Sequence, residues 1–109
     1  MPAADMKRHI KALNDGREGV RRFAVRRLSE IGLEAVPDLI EALKQKHGFA
    51  HDGAVTVLTA IGAPAIPLLI NAMTDENREV RWGAAAVLGA LREDGARAAV
   101  DEAFASSEA

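Results

Sequence analysis

The sequence predicts an all-α fold in which similar helix pairs stack into a solenoid. Three observations carry that expectation. The chain aligns with itself, without a gap, at a period of 30 residues. Within each copy, apolar residues recur at helical rather than strand spacing. With three Phe, one Trp and no Tyr among 109 residues, a core must be built from Ala, Val, Leu and Ile, which suits closely packed helices.

Cutting at residues 17, 47 and 77 gives REGVRRFAVRRLSEIGLEAVPDLIEALKQK, HGFAHDGAVTVLTAIGAPAIPLLINAMTDE and NREVRWGAAAVLGALREDGARAAVDEAFAS. Ala24, Ala54 and Ala84 coincide, as do Leu28, Leu58 and Leu88, and Pro37 matches Pro67. Each copy reads as two helices. Val20, Ala24, Arg27, Leu28 and Ile31 lie at offsets of 0, 4, 7, 8 and 11, one face of a helix. Gly32 and Gly62 follow the last apolar residue, where a left-handed C-cap is wanted. A shorter helix then begins near Pro37 or Pro67, a first-turn position that tolerates proline. It buries Val36, Leu39, Ile40 and Leu43 in one copy, and Ile66, Leu69, Ile70 and Met73 in the next. DMKRHIKALN, residues 5–14, matches this shorter helix through Met6, Ile10 and Leu13. The chain thus opens and closes on a short helix, roughly seven in all, and pairs must stack because none buries its apolar face alone.

Composition narrows the function. The chain has no cysteine, which excludes disulfides, thiolate metal sites and thiol nucleophiles. The most apolar segment, AIGAPAIPLLINAM, holds two prolines and is too short to cross a bilayer. No signal peptide is recognised, so no membrane association and a cytoplasmic location are expected. The net charge of −2 conceals an asymmetry: residues 1–30 carry eight Lys/Arg against four Asp/Glu, and the remainder six against twelve.

At VRRFAVRRLSEIG and VRWGAAAVLGAL the chain resembles the HEAT-repeat family, specifically its short, phycobilisome-lyase-type repeats. The resemblance implies a right-handed superhelix of about three helix pairs within a single domain, 1–109. Its units would span approximately 5–32, 33–62 and 63–92, with a capping helix at 95–105. It further implies that the Val-Arg helices line the concave side. An Asp–Arg pairing that runs as a ladder between repeats would fall on Asp15 with Arg21 and on Asp75 with Arg81. Gln45 and His51 stand at those places in the middle copy, so a charge-depleted link is expected there.

The resemblance makes the outward positions of these helices a binding surface. Trp82 lies about 160–180° from the centre of its helix's apolar face at 100° per residue. Arg78 and Glu79 lie beside it, and Phe49, Asp52, Thr56, Arg22 and Arg26 are the counterparts on the other Val-Arg helices. Trp and Arg dominate interface hot spots, so the expected role is non-catalytic protein or peptide binding, to a partner bearing acidic groups, by a monomer or weak dimer. The competing expectation for Trp82 is packing on the preceding repeat near Asp52 and Thr56. Arg21, Arg22, Arg26 and Arg27, with Lys7, Arg8 and Lys11, form a basic end. It invites nucleic acid, but no aromatic residues interleave with it for base stacking, and local pairing to carboxylates is the plainer reading. A bilin-lyase-type role, holding a tetrapyrrole in the groove, is the runner-up implied by the resemblance. His47 and His51 share metal-ligand spacing, but no cysteine or Glu accompanies them, and no cofactor or metal is expected. The serines lack a nucleophile elbow, and the glycines form no phosphate-cradling loop.

Overall fold

The computed structural model describes residues 3–45 and 48–107. It contains α1 (Ala3–Ala12), α2 (Glu18–Ile31), α3 (Val36–Ala42), α4 (Phe49–Ile61), α5 (Ile66–Ala72), α6 (Arg78–Leu91) and α7 (Arg97–Ser107), with no strand among the described residues. The fold is an all-α solenoid. Short helices α1, α3, α5 and α7 make one layer and long helices α2, α4 and α6 the other. Each long helix packs on the short helix that precedes it and on its long neighbours. Stacking draws the molecule out to 42 × 26 × 25 Å.

The joints follow from the residues at them. Gly32 and Gly62 adopt φ of 75° and 79°, and each donates its N–H back to Leu28 or Leu58. Their ψ values of −136° and −142° depart from the expected left-handed helical cap, yet the positive φ still selects glycine. One 3₁₀ turn then leads into α3 or α5, with Pro37 or Pro67 in the first turn, where its missing N–H has no intrahelical partner to lose. The path from α4 through Ala63–Ala72 bends by 111°. The third copy has Arg92 in place of that glycine. Its helix runs on through a widened turn, Arg92–Ala96, and breaks at Gly95, where φ is 103°. The capping helix therefore spans Arg97–Ser107 instead of 95–105.

Leu28, Leu39, Leu43, Leu58 and Leu69 are fully buried between the layers, with Val57, Val80, Val87 and Val100. No polar side chain is fully buried among the described residues. Two repeat positions show how neighbours interlock. A Cβ added at Gly53 would stand 3.1 Å from Leu13 Cδ2, and one at Gly83 only 2.6 Å from Leu43 Cδ2. Val57 and Val87, one turn later, are completely enclosed. The first copy has Phe23 and Arg27 at these places. Phe23 is 55 % exposed, edge-on to His9, and Arg27 is half-buried with Nη1 donating to Glu30 Oε2 at 3.0 Å. Val20 is only half-buried for the same reason, whereas Val80 is enclosed. Among the described elements α2 meets α1 on this side, and no long helix, so size and charge are tolerated there.

Candidate functional site

The outer face of the long-helix layer gathers the predicted contact residues. Trp82 on α6 is 56 % exposed, and its ring lies under the guanidinium of Arg78, 4.6 Å from the ring centroid. The ring is thus engaged by its own helix, one turn back. Phe49 opens α4 at 47 % exposure. Arg21 reaches across from α2 and places its guanidinium 3.7 Å over that ring. Both contacts are cation–π arrangements that hold a large apolar surface in a fixed pose.

Between α2 and α4 runs a groove of about 250 Å³, lined by Leu13, Glu18, Arg21, Arg22, Val25, Phe49, Asp52, Gly53 and Thr56. It unites Arg22, Phe49, Asp52 and Thr56 from the predicted set. Trp82, Arg78 and Glu79 lie apart from it on α6, and Arg26 follows Arg22 one turn along α2. Val25, Gly53 and Leu13 were not foreseen as groove residues, although the bare Gly53 beside Leu13 is what opens the floor. The hydroxyls on this face are engaged internally: Ser29 donates to the Val25 carbonyl, Thr56 to Asp52 and Thr59 to Val55, at 2.8–3.0 Å.

The repeat pattern and this geometry meet in the comparisons with known families. Residues 50–109 match the family described as HEAT repeats, and residues 20–45 match the PBS lyase HEAT-like repeat. The chain belongs to the HEAT-repeat family. No curated protein matches it. Both matches begin on a long helix, at residue 50 on α4 and residue 20 on α2, whereas the units expected from the resemblance begin on the short helix of each pair.

The ladder expected of a HEAT array takes a different form here. Arg21 Nη1 donates to the backbone carbonyl of Asp15 at 2.8 Å, not to its carboxylate, and Arg81 does the same to Asp75 at 2.8 Å and Glu76 at 3.0 Å. Each bond ties a long helix to the loop before it, so the ladder lies within units and not between them. The carboxylates have another task. Asp15 Oδ1 accepts the N–H of Arg17 and Asp75 Oδ1 that of Asn77, both at 2.8 Å, closing tight turns. In the middle unit His51 Nδ1 meets the Leu43 carbonyl at 2.9 Å. An imidazole thereby stands in for the guanidinium, at a carbonyl two residues earlier, and exposed Gln45 is not its partner. His47 lies outside the described residues.

Five arginines of the basic end pair with its four carboxylates, and, contrary to the expectation, one exposed aromatic, Phe23, does stand among them. Arg8 pairs with Asp5, Arg17 with Asp15, Arg22 with Glu18, and Arg26 and Arg27 share Glu30. Two side chains and the N–H of Arg17 act on one carboxylate: hydrogen bonding from the Arg17 side chain, then from its backbone, lowers the Asp15 pKa from 3.8 to about 2, with a smaller contribution from Arg21. Two larger grooves, about 540 and 590 Å³, separate α1 from α3 and α5 from α7 on the short-helix side. A third, about 310 Å³, separates α3 from α5. The short helices are thus less closely packed on one another than the long helices are.

Proposed function

We infer that this HEAT-repeat chain is a non-catalytic protein-binding module and that the α2–α4–α6 face is its contact surface. One observation carries the reading: two large aromatic side chains, Trp82 and Phe49, stand half exposed on that face, each held in place by an arginine. Burying a pre-positioned ring on binding costs little side-chain entropy, and Trp with Arg is the pairing most enriched in hot spots. HEAT repeats as a class are protein-interaction modules, which supports the same conclusion. The tetrapyrrole alternative fits less well. The groove on this face, at about 250 Å³, is smaller than the roughly 300–1,000 Å³ of small-molecule sites. Nucleic-acid binding fits less well because the whole chain carries a net charge of −2 and a single aromatic, Phe23, stands among these arginines for base stacking.

The test is capture from native lysate with wild type and Trp82→Ala side by side. The expected result is a partner retained by wild type and weakened by more than about 1–2 kcal/mol in the variant, the scale of a hot spot. Because Trp82 is exposed, thermal stability should stay within about 0.5 kcal/mol of wild type. Equal capture by both proteins would remove this face from consideration.

A further inference from the structure

Repetition makes the long-helix face readable row by row. Positions 22, 52 and 82 are the same repeat position on α2, α4 and α6, and so are 26, 56 and 86. Across these rows the chemistry changes in one direction. On α2 stand Arg22 and Arg26, both exposed; on α4 stand Asp52 and Thr56; on α6 stand Trp82 and Ala86. The face is cationic at one edge, acidic and small in the middle, and aromatic at the other edge.

The cations at the α2 edge are available despite their partners. Arg22 pairs with Glu18 at 2.6 Å with 77 % and 71 % of the two side chains exposed, and Arg26 with Glu30 at 3.6 Å with 78 % and 52 % exposed. Such solvated pairs contribute little and exchange readily for an incoming carboxylate. Arg21 is not available in the same way, being committed to the Asp15 carbonyl and the Phe49 ring.

Resting on the binding face inferred above, we propose that its partner is an extended polypeptide segment lying across the long helices, with acidic residues over α2 and a large apolar residue over Trp82. Extension suits the rows: an extended chain is narrow enough to follow one row across the helices, whereas a helix about 10–12 Å across would cover two rows lying one turn, about 5.4 Å, apart. Spacing follows from the architecture. Neighbouring helix axes lie about 8–10 Å apart, so the two edges are separated by roughly 16–20 Å. An extended chain covers about 3.3 Å per residue, which places about five residues between the acidic and apolar ends. Asp52 at mid-span disfavours a carboxylate there, so the intervening residues are neutral or basic.

Synthetic peptides test this, each with an Asp-Glu pair and a Leu-Phe pair joined by two, five or nine Ser/Ala residues. They lack Trp, so Trp82 fluorescence reports binding. The five-residue spacer is expected to bind at least tenfold tighter than the other two. The double variant Arg22→Glu/Arg26→Glu, checked for an unchanged melting profile, should lose at least tenfold and recover it with a peptide carrying Lys-Lys in place of Asp-Glu. Equal affinity for all spacers, indifference to the charge reversal, or no binding by any peptide up to millimolar concentration would each overturn the cross-layer segment. Those results leave the face itself standing if Trp82→Ala still releases the partner captured from lysate. If that capture is also unaffected, the binding face fails with it.

Discussion

Gly83 and Gly89 sit on the same helix, yet one methyl group should act on them with opposite sign. A Cβ at Gly83 meets Leu43 Cδ2 at 2.6 Å, Leu43 Cδ1 at 3.0 Å and His51 Cε1 at 3.2 Å, and Leu43 is fully enclosed. A Cβ at Gly89 meets nothing within 4 Å. Gly89→Ala is therefore expected to stabilise by about 0.5–1 kcal/mol through helix propensity. Gly83→Ala gains the same propensity but overpacks a filled site, so a net loss of about 1 kcal/mol is expected. Urea midpoints compare the two directly, and equal shifts would mean that Leu43 yields freely. Asp15 makes a second prediction at this scale. Its folded pKa, about 2, lies below the ordinary 3.8, so its contribution to stability is present above about pH 3.8 and is lost as pH falls through 2. Arg17→Gln should raise the Asp15 midpoint toward 3.8 in an NMR titration; an unmoved midpoint would mean that Arg17 is not the cause.

The three long helices begin differently, although their later turns are alike. Asn77 caps α6 by accepting from the N–H groups of Glu79 and Val80 at 2.9 and 3.2 Å, whereas Arg17 and Gly48 give α2 and α4 no side-chain cap. Asn77→Ala should cost about 1 kcal/mol. Arg17 has nearly the same backbone angles, φ −92° and ψ 121° against −81° and 123°, so Arg17→Asn is expected to recover a cap in α2. Guanidine melts of both variants check the pair. The expected ladder was legible only in part. The alignment located Asp15, Arg21, Asp75 and Arg81 and the substitution at Gln45 and His51, but residue identity does not say whether an arginine chooses a carboxylate or the carbonyl of the same residue. Because it takes the carbonyl, the double change Gln45→Asp/His51→Arg should be additive within about 0.5 kcal/mol. A larger coupling would restore a direct pairing.

At the scale of the whole molecule, the period of 30 residues was enough to place the helices and the layered stack, since each copy repeats one packing solution. It was less informative wherever a copy stops resembling the others. The start of α7 moved because Arg92 replaces a glycine and the turn through Arg92–Ala96 is widened, and the groove between α2 and α4 depends on a pairing across units that no single copy contains. The stack also predicts how damage spreads. Leu58 is fully buried in the middle long helix, with neighbours on both sides. Leu58→Ala should cost about 2–5 kcal/mol, a large share of the roughly 5–15 kcal/mol available to a domain, and lower hydrogen-exchange protection in every helix. Val100→Ala should loosen α7 and its immediate contacts while leaving α2 protected. Uniform loss in both variants would argue for a single cooperative block in place of neighbour-to-neighbour stacking. The bulk of Phe23 and Arg27 has a consequence for where such an array can accept another unit. Duplicating residues 47–76 in tandem would seat a new Gly and Val on an existing Leu, and so add one more helix to the open face. Inserting a unit directly ahead of α2 would instead set Phe23 and Arg27 where the later copies carry glycine and valine, so a duplicated middle copy should be accepted and an insertion ahead of α2 should not.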